Sequence, residues 1–160
     1  MKSYEVIDIS GDAGIRAYGS TLQELFRHAA EGMYSLITDP AGLREQRDIL
    51  VEAGGNSLEG LLVSWLNELI FHFDTYGFIG KNIRHVGITP DPSLSPSGGS
   101  GQTARSKTET PAYMLKGVVS GEDFDPERHE KRLLIKAATY HLLNVEQKDG
   151  QWVADVIFDI

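Results

Sequence analysis

The groups best suited to chemistry in this sequence are carboxylates near its two ends. Asp8 and Asp12 stand on either side of a turn signal, and Asp159 precedes the terminal Ile160, whose free α-carboxylate is a second negative group. Carboxylate oxygens are hard ligands that suit Ca²⁺, Mg²⁺ or Mn²⁺. Because two adjacent negative groups repel unless a cation lies between them, we expect the terminal strand to be tied into a sheet and to close an oxygen-ligand metal site. The alternative is that Asp12 stabilises a turn and Asp159 is solvated.

Lys136 and His141 are the other candidates, because they come shortly before the predicted last hairpin. A lysine beside carboxylates serves as an ion-pair partner, a catalytic base or a docking contact, and the spacing favours the ion pair. His141 is placed to donate a hydrogen bond close to the same carboxylates. No histidine shows a zinc-binding spacing, and the sequence contains neither a cysteine nor a G-x-S-x-G nucleophile motif. Residue chemistry alone therefore leaves the function open.

Length and charge limit the classes of function. A chain of 160 residues fits one domain with a substantial core. Its 23 acidic and 15 basic residues give a net charge of -8, which argues against autonomous nucleic-acid binding and is compatible with docking on a basic protein. The absence of cysteine suits a cytoplasmic protein, and no apolar run reaches the roughly 18 residues that a membrane span needs.

Two helices and a repeated motif organise the first half. Strands are predicted at 4–9 and 14–18, followed by a capping box at Thr21 and Glu24 and an apolar helical stripe from 22 to 37. A strand at 47–53 and a second helix at 57–76, with Gly77 after its end, repeat this pattern at an offset of 36 residues. The repeat indicates an internal duplication. The alternative is that any two capped amphipathic helices that follow strands show a similar pattern without being duplicated.

The second half is predicted to be mostly strands. These lie at 78–88 and 112–120, separated by a flexible loop at 90–111 that is rich in Pro, Gly and Ser. A charged turn is expected at 121–129. The stretch 133–146 is ambiguous, because 136–143 has helical propensity whereas a turn at 148–150 favours a closing hairpin. The sequence predicts an α+β fold: a single two-layer domain over 1–160, with a mostly antiparallel sheet packed by two main helices.

Several motifs resemble those of the archease family, and they cover nearly the whole chain in order. They are DAGIRAYG (12–19), TLQELF (21–26), GMY (32–34), LITD (36–39), LVSWLNELIF (62–71), FDT (73–75), IKAATYH (135–141) and VIFDI (156–160), together with Gly121, Glu122, Asp125 and His129.

This resemblance implies a partner and a site. Proteins of the archease family are non-catalytic cofactors of the RtcB-type RNA ligase: they promote guanylylation and multiple turnover of that ligase in tRNA splicing and RNA repair. The family's metal positions correspond to Asp12, Asp159 and Ile160, and the expected cation is calcium, with magnesium or manganese as alternatives. The family lysine is Lys136, a candidate contact with the ligase. Asp8 and His141 are candidates for supporting positions around the metal.

One family motif is altered here, and other functions remain open. The motif D-H-T-A-D-V reads Asp8-Ile9-Ser10-Gly11-Asp12-Ala13, so Ile9 and Ser10 replace a histidine and a threonine. The competing interpretation is a small metal-dependent phosphoester hydrolase that uses Asp12 and Asp159, with Lys136 or His141 as the acid–base group. A third is a general chaperone, which predicts broad binding to unfolded clients.

Overall fold

The computed structural model describes residues 2–9, 11–90 and 111–160. The elements in chain order are β1 (Tyr4–Ile9), β2 (Asp12–Gly19), α1 (Leu22–Ile37), a 3₁₀ turn (Pro40–Gly42), β3 (Arg47–Gly55), α2 (Leu58–Tyr76), β4 (Phe78–Thr89), β5 (Tyr113–Asp123), β6 (Ala137–Ala138), β7 (Asn144–Lys148) and β8 (Gln151–Asp159). The predicted 90–111 loop lies outside the described residues, apart from its two end residues.

The strands form two antiparallel sheets. In the larger sheet β1 pairs with β2 and β2 with β8, while β6 and β7 both pair with β8. In the smaller sheet β5 lies between β3 and β4. Both helices contact both sheets: α1 packs on β2 and β4, and α2 on β3 and β6. The predicted α+β class is confirmed, and its strands divide into two sheets.

The helices and sheets enclose one continuous apolar core. Trp65 of α2 is fully buried, and its indole N–H donates a hydrogen bond of 3.0 Å to the carbonyl of Phe26 in α1. This bond satisfies a buried donor and fixes how the two helices meet. No helix in the described part of the chain is long and apolar enough to cross a membrane.

The repeated motif is also a repeated local structure. Thr21 caps α1 by accepting from the Glu24 N–H, and Ser57 caps α2 in the same way. A Cβ on Gly19 would lie 2.4 Å from the nitrogen of Leu25, and one on Gly55 would lie 2.5 Å from that of Leu61. Only glycine allows the strand to approach the helix this closely. The Glu24 carboxylate reaches back towards the start of the helix as predicted. It accepts hydrogen bonds from the N–H and hydroxyl of Ser20, the residue before the Thr21 cap.

One region differs from the expectation, and the ambiguous stretch forms the hairpin that the sequence favoured. The turn expected at 121–129 begins later, because β5 continues to Asp123 with Glu122 buried. The stretch 136–143 is not helical, and the closing hairpin forms instead, with Asp149 and Gly150 in its turn at φ 55 and 75. Residues 124–136, which we call the strap, cross from the smaller sheet to the larger one without helix or strand.

Candidate functional site

Strand pairing brings the two predicted metal-binding aspartates together. In the β2–β8 ladder Ala13 lies opposite Phe158, so the next position outward sets Asp12 opposite Asp159. Ala13 and Phe158 face the core, and alternation along a strand therefore points Asp12 and Asp159 to the other face. Both aspartates are exposed. Side chains directly opposite each other in such a pair have Cβ atoms about 4.5–5.5 Å apart, which is close enough for both carboxylates to meet one cation.

A charge pair on the same face shows what this site lacks. Four residues further along each strand, Arg16 lies opposite Asp155 and donates two hydrogen bonds to its carboxylate, at 2.7 and 3.0 Å. That carboxylate is neutralised within the fold. Within the described residues Asp12 and Asp159 have no such cationic partner. Among the described residues, the end of the sheet that carries Asp12 and Asp159 therefore has uncompensated negative charge.

Lys136 and Ile160 lie at this same end. The Lys136 backbone N–H donates to the Asp159 carbonyl at 2.8 Å, and β6 pairs Ala137 with Asp159, so Lys136 comes opposite Ile160. The Lys136 side chain is exposed and forms no ion pair with any described residue. Over the described part of the chain, the ion pair that the spacing favoured is thus not formed, and the lysine side chain faces solvent. We call Asp12, Asp159 and Ile160 the acidic tip.

Asp8 and His141 do not join the acidic tip in the same way. Asp8 lies opposite Ala13, on the other face of the sheet from Asp12, whereas Ile9 lies opposite Asp12. Ile9, which stands where the resembled motif has a histidine, therefore lies beside Asp12. His141 is exposed, and its backbone N–H donates to the Thr139 hydroxyl at 3.2 Å. No contact joins the His141 side chain to the tip among the residues described.

The tip fits a cation only as an open, oxygen-donor site. Across residues 2–9, 11–90 and 111–160 no three side chains of the His, Asp or Glu type cluster so as to hold a metal. The candidate donors are instead two carboxylates and the Ile160 carboxylate, with solvent on one side. Calcium and magnesium accept such oxygen sets and retain water in the remaining positions. The donor chemistry therefore fits a hydrated hard cation, and metal binding remains a prediction.

The loop between β6 and β7 holds exposed apolar residues that the sequence analysis did not single out. Tyr140 and Leu142 are 66% and 62% exposed, and Leu142 has a positive φ of 55. Tyr140 also borders a groove of about 550 Å³ at the start of α2, lined by Ser57 and Asn67 among others. Exposed and core positions carry the same types of apolar side chain. The sequence alone therefore could not show that Tyr140 and Leu142 are exposed.

A buried carboxylate, Glu122, and its hydrogen-bond partners hold the start of the strap. Glu122 and His129 are 2% and 4% exposed, and the His129 Nε2–H donates to the Glu122 carboxylate at 3.0 Å. The other ring nitrogen accepts from the Asp125 N–H at 2.8 Å, which sets the neutral tautomer. Arg128 and the Arg44 N–H also donate to Glu122. Burial raises the pKa of Glu122, but these hydrogen bonds outweigh it and the pKa is lowered.

The far end of the strap is tied by its backbone. Arg132 and Leu133 donate their N–H groups to the carbonyls of Ile37 and Leu36, at 2.9 and 3.0 Å, so the strap satisfies the last turn of α1. Beyond it, Asn67 of α2 exchanges two hydrogen bonds with the backbone of Ala138. The position of Lys136 at the acidic tip is therefore fixed by contacts on both sides of it.

The comparisons with known proteins agree with this architecture. The Archease protein family (MTH1598/TM1083) matches residues 4–160. Curated archeases from Pyrococcus furiosus and Thermococcus gammatolerans are 31% and 34% identical, and each alignment covers 100% of both chains. The solution structure of Methanobacterium thermoautotrophicum protein 1598 is 30% identical, covers 100% of both chains and has a TM-score of 0.74.

A more distant structure has the same fold. A Thermotoga maritima archease, described as a possible chaperone, is 17% identical with a TM-score of 0.61, and the match covers 100% of this chain and 98% of that one. Since the family match extends over residues 4–160 and curated relatives above 30% identity align along their whole length, the chain belongs to the archease family.

Proposed function

We propose that this protein is a non-catalytic activator of an RtcB-type RNA ligase, which it helps to become guanylylated and to turn over repeatedly in tRNA splicing and RNA repair. The observation that carries the proposal is the strand register that sets Asp12 opposite Asp159 at an exposed sheet end. Family membership supplies the ligase as the expected partner, and the tip supplies a surface suited to it.

The acidic tip suits a basic, phosphate-binding pocket. The chain carries a net charge of -8, and at the tip the Asp12 and Asp159 carboxylates, which pair with no cation among the described residues, lie beside the Ile160 carboxylate. Asp12, Asp159 and Ile160 would hold a divalent cation, calcium first, which would neutralise the tip and offer a Lewis acid to phosphate oxygens. Lys136, one position from Asp159 along the neighbouring strand, would contact the ligase or its nucleotide.

The exposure of the tip favours an activator over a hydrolase. Both aspartates lie on an open face of the sheet, where water screens their charge. A hydrolase needs its reacting groups in a site that excludes water, and the partner's pocket would supply that enclosure here. We place this partnership in the cytoplasm, since a chain without cysteine has no disulfide to form in an oxidising compartment.

Guanylylation of the cognate ligase at limiting GTP tests the proposal. We expect this protein to raise the rate, and Asp12→Asn to abolish the increase. Asp74→Asn, at an exposed position on α2 away from the tip, is the matched control and should activate like the unchanged protein. Phosphoester turnover by the isolated protein would support the hydrolase instead. Suppressed aggregation of unrelated unfolded proteins without any effect on the ligase would support a chaperone.

The role of the terminal carboxylate needs its own variant. Adding one glycine after Ile160 moves the carboxylate by one residue and leaves Asp12 and Asp159 in place. If the Ile160 carboxylate is a ligand, the extended protein needs more calcium for half-maximal activation. Equal calcium dependence would remove Ile160 from the metal site while leaving the activator function in place.

A further inference from the structure

The side chain of Asn67, in the middle of α2, completes the hydrogen bonding of β6. This strand is only two residues long and pairs with β8 on one side. On its other side the Asn67 amide group donates to the Ala138 carbonyl at 3.3 Å, and the Asn67 side-chain oxygen accepts from the Ala138 N–H at 2.8 Å. A residue in a neighbouring antiparallel strand exchanges the same pair of bonds with its partner. One side chain therefore stands where a further strand would lie.

Burial makes these two hydrogen bonds important for β6. Ala138 is 5% exposed, so water has little access to its backbone. Both of its backbone groups are bonded to Asn67, whereas the next residue, Thr139, donates its N–H to the Ile157 carbonyl of β8 at 3.1 Å. Without Asn67 the Ala138 N–H and C=O would be buried and unpaired, and such groups carry a desolvation penalty.

The strand that Asn67 holds also places Lys136. The Lys136 N–H donates to the Asp159 carbonyl at 2.8 Å, immediately before the position where Ala137 pairs with Asp159. Two paired strands alone are only marginally stable in water, and here the pairing extends over two residues. The position of Lys136 beside the end of β8 therefore depends on a further contact that holds β6 in place, and Asn67 supplies one.

We infer that Asn67 is a positioning residue for ligase activation, which holds β6 against β8 and thereby keeps Lys136 beside the Asp159 backbone. This inference rests on the proposed function and adds to it a residue of the helix layer. Asn67 acts through the backbone of Ala138, two residues from Lys136. A lysine that is held in place before docking loses less conformational freedom when its partner binds.

The chemistry of the side chain explains why an asparagine suits this position. A primary amide offers a donor and an acceptor on one planar group, which is what the C=O and N–H of one residue require. Leucine has a similar size and offers neither. Ionised aspartate offers acceptors alone, so it can receive the Ala138 N–H but turns its second oxygen towards the Ala138 carbonyl. Asn67→Leu therefore removes both bonds, and Asn67→Asp removes one.

Amide hydrogen exchange tests the position of β6 without the ligase. In Asn67→Leu we expect the Lys136 and Thr139 amides to exchange about tenfold faster, because they open together with β6 once its buried partner is lost. The amides of the β2–β8 ladder should keep their rates. Asn67→Asp should show a smaller change in the same direction, and it serves as the test variant if the leucine variant does not fold.

A double-mutant cycle with Lys136 tests the consequence for activation. Asn67→Leu should raise the concentration needed for half-maximal guanylylation of the ligase, by no more than Lys136→Ala does. The double variant should equal Lys136→Ala, because both changes remove the same contribution. A loss of stability alone would add to the effect of Lys136→Ala.

Trp65→Phe is the matched control for stability. Trp65 lies on the same helix, and this change removes its hydrogen bond to the Phe26 carbonyl, which is remote from β6 in the chain. The variant should have a lower melting temperature, unchanged exchange at Lys136 and Thr139, and normal activation at temperatures well below its unfolding.

The outcomes separate this inference from the proposed function. Unchanged exchange at Lys136 and Thr139 overturns the inference, since β6 then holds without Asn67. Faster exchange with additive losses, or with unaltered guanylylation, also overturns it, because Asn67 then contributes to stability alone. If the unchanged protein does not stimulate guanylylation, but Asn67→Leu speeds exchange at these two amides, the activator function is rejected and the placement of Lys136 by Asn67 is kept.

Discussion

Replacing Asp159 by asparagine should change the stability in opposite directions with and without calcium. In a chelator, the variant loses a carboxylate that faces Asp12 from the neighbouring strand and has no cationic partner among the described residues. Its removal relieves repulsion, so the variant should be slightly more stable. With calcium, the variant lacks one of the proposed ligands, so it should be less stable than the unchanged protein.

The size of each effect follows from the geometry. Two unit charges about 5 Å apart in water repel by about 0.8 kcal/mol, and physiological salt reduces this to roughly half. For a chain of this length the gain in chelator corresponds to a melting temperature about 1–3 °C higher. Calcium at a hundred times its dissociation constant stabilises the unchanged protein by about 2.7 kcal/mol, or about 5–10 °C, and Asp159→Asn should lose most of that shift.

Thermal unfolding in EDTA and in calcium chloride provides the measurement. Asp155→Asn is the control, because it lies on the same strand and face but removes the ion pair with Arg16 and one of the two hydrogen bonds that Arg16 donates. That variant should be destabilised equally in both buffers. If Asp159→Asn is less stable in EDTA, the carboxylate makes a favourable contact and the repulsion argument fails. If its calcium shift equals that of the unchanged protein, Asp159 is not a ligand.

Three further predictions concern the scaffold. Gly55→Ala should lower stability by about 1–3 kcal/mol in urea unfolding, since its Cβ would meet the Leu61 nitrogen, whereas Gly42→Ala, which meets nothing within 4 Å, should be neutral. Thr38→Val should be neutral or stabilising by up to about 1 kcal/mol, because the buried Thr38 hydroxyl finds no partner in the described structure; a clear loss would reveal one. Glu122→Gln should cost about 2–4 kcal/mol at pH 7. The lowered pKa of Glu122 means that its ionised form stabilises the fold above the ordinary value of 4.5, and this contribution is lost as the pH falls below that value, so the two unfolding curves should converge in acid.

Local patterns in the sequence predicted local structure well. The caps at Thr21 and Ser57 and the apolar stripes behind them depend on residues a few positions apart, so α1 and α2 were predicted to within one or two residues. The closing hairpin was predicted for the same reason, because the turn at Asp149 and Gly150 and its flanking strands are contiguous.

Features that depend on distant residues were not predictable. The extension of β5 through Glu122 requires the His129 and Arg128 side chains to compensate a buried charge, and no spacing in the sequence shows that they turn back on it. The strap is held by carbonyls at the end of α1, almost a hundred residues earlier in the chain. For the site, Asp12 and Asp159 were expected together, whereas the side of the sheet that Asp8 occupies came only from the register.

The position of β8 has a consequence for how the chain reaches its fold. β1 precedes β2 directly in the chain and can pair with it early. The other edge of β2 pairs with β8, so Arg16 of β2 contacts a residue 139 positions away in the chain. During synthesis from the N-terminus that edge stays open while nearly all of the protein is made, and open edges pair with other chains. Loop closure over such separations also slows folding. The late pairing of β2 with β8, which assembles the acidic tip, thus leaves the nascent chain open to aggregation until synthesis is nearly complete. Refolding experiments should show that the larger sheet forms last.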